Sequence, residues 1–321
     1  MSDITRQNAS FKYALSEATK LDEDSLKRAK DKIGETEANR SHCLHVLRTN
    51  LREFEDIEPC LDENFLLKFL RVAKFDCKKA FDRIKNYYRL QDILLNRLKN
   101  GSMPITKVRE IPYSFLLPYR NENNAVIVVA KMGLLDYSKL SFEKMSYLDW
   151  LLTDYLLANP ITQLYGVITI FDFADFKFRS ALAVNPKTAF EYMYTVQNAV
   201  PLRIKGFHVI NAPFVFRLFY NMFYPVMSTK LQNRLVIHPN NDSWKSLHSF
   251  IPPEILPEEY GGAVKQSDLI NLVENADSLD EQFREQFKYG YAKTKHIRML
   301  KKIITSENET PDSEKKSSAK T

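Results

Sequence analysis

The chain has 321 residues, room for two domains at about 100–200 residues each. With 44% apolar and 27% charged residues its composition is globular, and only 8 glycines argue against glycine-rich phosphate loops and many tight hairpins. The net charge of +6 bears on a partner only where it is clustered.

Cys43, Cys60 and Cys77 lie early in the chain, odd in number and without CxxC spacing. Neither a disulfide framework nor a zinc site is expected, and a reducing compartment is. The opening MSDITRQNASFKYALSEATK has no apolar core, so no secretory leader is expected. No apolar run reaches the about 18 residues a membrane span needs. The expectation is a cytoplasmic protein without a transmembrane segment.

Taken in order, Asp22–Ala29 reads as a helix opening. Leu44, Leu47, Leu51 and Phe54 recur three or four apart, an amphipathic helix over 38–55 that Pro59 ends. Asp62 caps a helix carrying Phe65, Leu66, Phe69 and Leu70, and Asp76 opens another carrying Ala80, Phe81, Ile84 and Tyr88. Asn100-Gly101-Ser102 with Pro104 marks a boundary.

Beyond it the pattern alternates. Short β-branched runs at 125–131, 166–172, 206–211 and 234–238 read as strands. Helices are expected at 141–160, ended by Pro160, at 185–200 with Asn185 as cap and Pro186 next, and at 214–227. Crossovers this long imply an α/β fold with a mainly parallel sheet. A last helical stretch is expected at 279–303, followed by a disordered tail. The domain reading is 1–100 helical module, 101–265 α/β domain and 266–321 helix and tail.

Neither nucleotide loop, nor a G-x-S-x-G elbow, nor H-E-x-x-H occurs. No nucleic-acid motif accompanies the basic residues. Asp172 and Asp175 follow a strand end, where α/β proteins place ligand contacts, but without a nucleophile their expected job is to cap the loop. His208, inside a strand, reads as a core or wall residue. No catalytic residue, metal or cofactor is expected.

The stretch FVFRLFYNMFYPVM (214–227) is apolar on nearly all sides, with Arg217 and Asn221 sharing one face. It is too short for a bilayer, so it is either buried or faces something other than water.

PLRIKGFHVINAPFVFRLFYNMFYPVMSTKLQNRLVIH (201–238), followed by ILPEEYGG (255–262), resembles the CRAL-TRIO lipid-binding family, in its branch of tocopherol-transfer and retinaldehyde-binding proteins. FLLKFLRVAKFDCKKAFDRIKNYY (65–88) is similar to that family's N-terminal helical module. The resemblance implies an α/β domain with a hydrophobic cavity, a mobile helix gating it, and no catalysis. It makes 214–227 the gate, with Val215, Phe219, Met222 and Phe223 carrying the membrane contact and Phe178 and Leu182 facing them. It also implies a phosphoinositide site at Arg203, Lys205, Lys230 and Arg234.

Spacing is compatible with that site. Lys230 and Arg234 are one helical turn apart, and Arg203 and Lys205 share a side of an extended segment. Alternation then proposes the cavity walls: Val167, Thr169 and Phe171 on one strand face, and Phe207 and Val209 on another. Tyr192, Thr195 and Val196 come from one helix, Trp150 and Thr153 from an earlier one. The expected function is a cytosolic carrier of one small hydrophobic ligand (a retinoid, a tocopherol-like molecule or another lipid) that docks on phosphoinositide membranes. The alternative is a phosphoinositide-sensing membrane adaptor without transfer activity.

Overall fold

The structure is a computed structural model that describes residue 14 and residues 20–97, 110–274, 280 and 284–291. The expected boundary at 100–104 and the tail lie outside the described residues.

The N-terminal helices start where side-chain oxygens satisfy their first amides. Asp22 accepts from the Ser25 amide at 2.8 Å to open α1 (Glu23–Ile33), which Gly34 closes at φ 71°. Thr36 caps α2 (Glu37–Glu53), and Asp62 caps α3 (Glu63–Val72) through the Phe65 amide at 2.9 Å. Asp76 accepts from the Lys79 amide as α4 (Cys77–Arg97) begins. Each such cap contributes about 1 kcal/mol. The apolar stripes meet in a core around Leu47, Leu66, Phe69, Leu70 and Ile84, all fully buried.

A six-stranded sheet follows, in spatial order β6-β5-β4-β3-β2-β7. β3 (Val126–Lys131), β4 (Val167–Asp172), β5 (Ile204–Ile210) and β6 (Leu235–Ile237) run parallel. The parallel part is as the alternation predicts. The edge is not: β2 (Ser114–Leu116) and β7 (Ile270–Asn271) are antiparallel additions too short to show a period. Such an edge on a parallel sheet is common.

The expected helix at 141–160 is two helices. α5 (Phe142–Leu156) stops, and α6 (Pro160–Tyr165) starts from an Asn159 cap with Pro160 in its first turn. Proline there starts a helix because its missing N–H has no partner to lose. Gly166 joins α6 to β4 at φ 86°, and a Cβ there would lie 2.1 Å from the Arg203 carbonyl oxygen. Only glycine fits this close approach.

α7 (Phe178–Ala183) and α8 (Pro186–Asn198), the latter capped by Asn185, lead into β5. The apolar stretch after β5 is shorter than expected as a helix: α9 (Phe216–Phe223), then a 3-10 turn over Tyr224–Val226. α10 (Thr229–Gln232) precedes β6. Of the stretch expected to be helical at 279–303, the described residues hold a 3-10 helix over Glu285–Lys288 and then a strand, β8 (Gly290–Tyr291), which pairs with β1 (Ile57–Glu58) of the helical module.

The module and the sheet share one core. Arg71 forks onto Glu35 at 2.6 and 2.8 Å and reaches Gln163 of α6 at 2.6 Å, all three groups buried. Lys68 pairs with Asp154 at 2.6 Å, and Tyr87 packs edge-on against Trp150. Breaking a buried bidentate pair by removing one partner costs about 3–5 kcal/mol.

The sheet's two faces differ. Ile127, Val129, Ile168 and Ile170 point into a solid core closed by Leu247, Ile251 and other residues of 244–264. Val128, Ala130, Val167, Thr169 and Phe171 point the other way, toward a hollow. β5 joins this scheme through a bulge: Val167 pairs with Ile204 but Ile168 pairs with Gly206, so Lys205 is skipped. The skip turns Ile204, Phe207 and Val209 to the hollow side together.

Candidate ligand cavity and basic rim

The hollow is a cavity of about 280 Å³ between the sheet, α5, α8 and α9. Its size is near the low end of the range for small-molecule sites, about 300–1,000 Å³. Every wall position expected from alternation lines it: Val167, Thr169 and Phe171 from β4, and Phe207 and Val209 from β5. Tyr192, Thr195 and Val196 line it from α8, and Trp150 and Thr153 from α5. Aromatic pairs such as Phe171–Phe207 (centroids 5.3 Å apart) stiffen the wall.

Leu90 and Leu94 of α4 also line the cavity. They belong to the helical module, and no local pattern marks a leucine for a contact so distant in sequence.

The stretch 214–227 forms a wall of this cavity, but in a different phase from the one expected. Phe216, Tyr220, Phe223, Tyr224 and Met227 face inward, and Phe216 meets Phe173 at 4.9 Å. Val215 is buried in the main core, not exposed for membrane contact. Phe223, expected at the membrane contact, lines the cavity, whereas the side chains of Phe219 and Met222 lie outside the described residues. Arg217 and Asn221, both exposed, mark one face of α9, and two polar residues do not fix which of the apolar sides lines the cavity.

Outside, the picture is also apolar. Phe178 and Leu182, one turn apart on α7, are 60% and 65% exposed, and neither lines the cavity. Phe214 is 83% exposed, with Arg217 stacked over its ring. Phe190 and Tyr194 add a second exposed pair on α8. α7 and α8 both pack against α9, so these side chains occupy neighbouring elements. An apolar patch of this kind marks a contact surface.

Arg203, Lys205, Lys230 and Arg234, none of which lines the cavity, lie close enough around β5, α10 and β6 to act on one another. Burial and the charges of Arg203, Arg234, Arg28 and Lys230 push the Lys205 ammonium down to about 8. Burial, then Arg234, Arg203, Lys74 and Arg83, lower Lys230 too. The charges that shift these two lysines most are all positive, so like-charge crowding adds to burial in lowering both. Arg203 donates from its guanidinium to the Arg71 carbonyl at 3.0 Å and Arg234 from its own to the Ile204 carbonyl, which holds both guanidinium groups.

One polar constellation was missed by sequence reading. Asp149 lines the cavity from α5 and accepts from the Tyr113 hydroxyl at 2.5 Å and the Tyr192 hydroxyl at 3.1 Å. Burial pushes its carboxyl up to about 6, the two tyrosine bonds opposing that rise. The signal was present: Phe142, Met145, Ser146, Asp149, Thr153 and Leu156 form one helical stripe, and an acid sits in its middle.

The other acids and the histidine have structural work. Asp172 accepts from the Ala174 amide, Asn211 and the Tyr260 hydroxyl, tying the loop after β4 to the solid core. His208 is buried on the solid face, its Nδ1 2.9 Å from Nε2 of His238, whose Nδ1 meets the Ser246 hydroxyl at 2.8 Å.

Residues 112–262 match the family model described as CRAL/TRIO domain. Alpha-tocopherol transfer protein-like of Homo sapiens is 27% identical over 252 residues, which is 77% of this chain and 72% of that protein. Clavesin-1 of Mus musculus is 27% identical over 241 residues, 73% of this chain and 68% of its own. The solved structure titled "Crystal structure of Sfh5" covers 84% of this chain and 99% of that one at 14% identity and a TM-score of 0.46, too loose a likeness to carry weight. With a parallel sheet, a cavity on one face and a matching domain model over 112–262, that part of the chain is similar to the CRAL/TRIO domain.

Proposed function

We propose that this protein carries one small hydrophobic molecule in the cavity and exchanges it at membranes bearing phosphoinositides. The observation that carries the reading is the wall Phe216–Met227, which seals an apolar cavity from inside while its neighbours present Phe178, Leu182 and Phe214 to the outside. A wall that is apolar toward the cavity and flanked outside by exposed apolar side chains loses little when it swings from the cavity into lipid headgroups. The relative named for tocopherol transfer supports a carrier of the same general kind.

The basic cluster supplies the address. Phosphoinositide phosphates would neutralise Arg203, Lys205, Lys230 and Arg234, each contributing about 1 kcal/mol near the surface. If the headgroup binds the open form better than the closed one, docking itself drives release; only that difference shifts the equilibrium.

Native mass spectrometry of the full chain purified from cells is the direct test, and it should show a bound lipid of defined mass. Replacing Arg203 and Lys205 together by alanine should weaken binding to phosphoinositide vesicles far more than to neutral ones. An empty protein that still docks on phosphoinositide vesicles would make it a membrane adaptor; equal loss on both vesicle types would remove the headgroup site.

A further inference from the structure

The cavity's polar equipment is lopsided. Asp149 is the one charged side chain among the described residues lining it. A carboxylate offers about four acceptor positions, and the phenols of Tyr113 and Tyr192 use two of them. Because both tyrosines donate their protons to Asp149, each has only acceptor capacity left. A third phenol, Tyr137, donates to the Met145 sulfur, and the Ser146 hydroxyl donates to the Phe142 carbonyl. What this corner can still offer a ligand is lone pairs.

The tie is not explained by packing alone. It joins α5 to Tyr113 beside β2 and to Tyr192 of α8, yet part of the Asp149 surface stays open on the cavity side instead of being capped by a third donor. Burying a carboxylate in an apolar space is costly unless its hydrogen bonds are completed. A ligand that brings a donor completes them.

We infer that Asp149, held by Tyr113 and Tyr192, is the polar anchor of the cavity and selects amphiphiles whose head group is a hydrogen-bond donor, an alcohol or amine, over the matching aldehyde or carboxylate. The aldehyde has no proton to give and would set its oxygen against three lone-pair-bearing groups. The carboxylate adds like charge. Thr153, Thr169 and Thr195 also face the cavity, but a hydroxyl that both donates and accepts creates no preference between alcohol and aldehyde. This inference rests on the carrier reading and deepens it by naming the ligand's head group.

Two consequences follow from titration. At pH 7.5 Asp149 is ionised and acts only as acceptor. Below its value of about 6 it gains a proton and becomes a donor, so an aldehyde should gain on an alcohol in acid. The groups facing it (Tyr113, Tyr137 and Tyr192) are all raised by burial and stay neutral throughout, leaving Asp149 as the titrating group.

The test uses the full chain, delipidated, and follows fluorescence of Trp150 in the cavity wall with dodecanol, dodecylamine, dodecanal and dodecanoate. Dodecanol and dodecylamine should bind about tenfold or more tighter than the other two at pH 7.5, the size of one hydrogen bond to a charged acceptor. The comparison between those two separates alcohol from amine. Asp149→Asn should abolish the preference. If that variant does not fold, the wild-type preference shrinking between pH 7.5 and pH 5 gives the same answer. Binding of all four alike, or a preference that survives in Asp149→Asn or is unchanged at pH 5, overturns the anchor while leaving the carrier reading intact. Binding of none of them would sink the carrier reading with it.

Discussion

β4 runs between two different interiors. Its even-numbered residues, Ile168 and Ile170, enter a solid core; its odd-numbered ones, Val167, Thr169 and Phe171, face a cavity. The strand is the same, and only side-chain parity decides. On the solid face the partners are aliphatic residues at zero or near-zero exposure, including Leu247, Ile251 and Ile255. On the hollow face they are aromatic and hydroxyl-bearing and leave a gap of about 280 Å³. Hence one face stabilises the fold, and the other gives up packing to leave room for a molecule.

Breaking the solid face should have the largest effect. Ile170→Ala removes a fully buried side chain from a close-packed layer and should cost about 2–5 kcal/mol, read from denaturant midpoints. Its neighbour Thr169→Ala widens a space that already exists, so no new cavity term arises, and the cost should stay below about 1 kcal/mol. Thr169→Phe should instead occupy the hollow, leaving the midpoint nearly unchanged while removing any co-purified lipid. Equal losses for Ile170→Ala and Thr169→Ala would mean that the two faces are packed alike.

That contrast also explains what the sequence revealed. Parity in β4 and β5 and three-four spacing in α5 and α8 bring ten wall positions to one cavity, because strand and helix periods are local properties. The phase of α9 was not legible, since nearly every residue from Phe214 to Met227 is apolar. β2 and β7, at three and two residues, are too short to carry a period. Pro160 by itself marks the end of one helix, but the Asn159 cap before it makes it the beginning of the next. Asp149 is not legible as a wall residue because an acid on an amphipathic helix usually marks its solvent side; here it faces the internal cavity.

The two faces should also respond oppositely to acid. On the solid face, burial and the neighbouring His238 push His208 down to about 4 from 6.5. The folded state then binds fewer protons than the unfolded chain in that window, so stability falls as pH drops from about 6.5 to 4. On the hollow face Asp149 is raised from 3.8 to about 6, so the folded state binds more protons and stability rises as pH drops from about 6 to 4. Each effect is on the order of 2 kcal/mol and they oppose. Asp149→Asn should therefore steepen acid destabilisation relative to the wild type, and His208→Gln should flatten or reverse it. Stability curves of the three proteins between pH 6.5 and 4 decide; parallel curves would mean that neither group is perturbed.

Lys205 belongs to neither face. The bulge skips it in the ladder, so it stands at the rim among Arg203, Arg234 and Lys230, where burial and those charges push it down to about 8. A free Lys205 is therefore mostly charged at pH 7 and mostly neutral at pH 9. A bound phosphate opposes the crowding and raises its affinity for the proton, so headgroup binding should be tightest below about pH 8 and weaken above it. The loss approaches tenfold at pH 9, one unit above that value. Phosphate itself titrates near pH 6, below this window, and does not produce the same trend. Lys205→Arg keeps its charge throughout, so its binding to phosphoinositide vesicles should be flatter between pH 7 and 9, with the residual slope belonging to Lys230. If wild type and Lys205→Arg fall in parallel, Lys205 does not meet the headgroup, and the rim is a strained cluster held together by its backbone contacts alone.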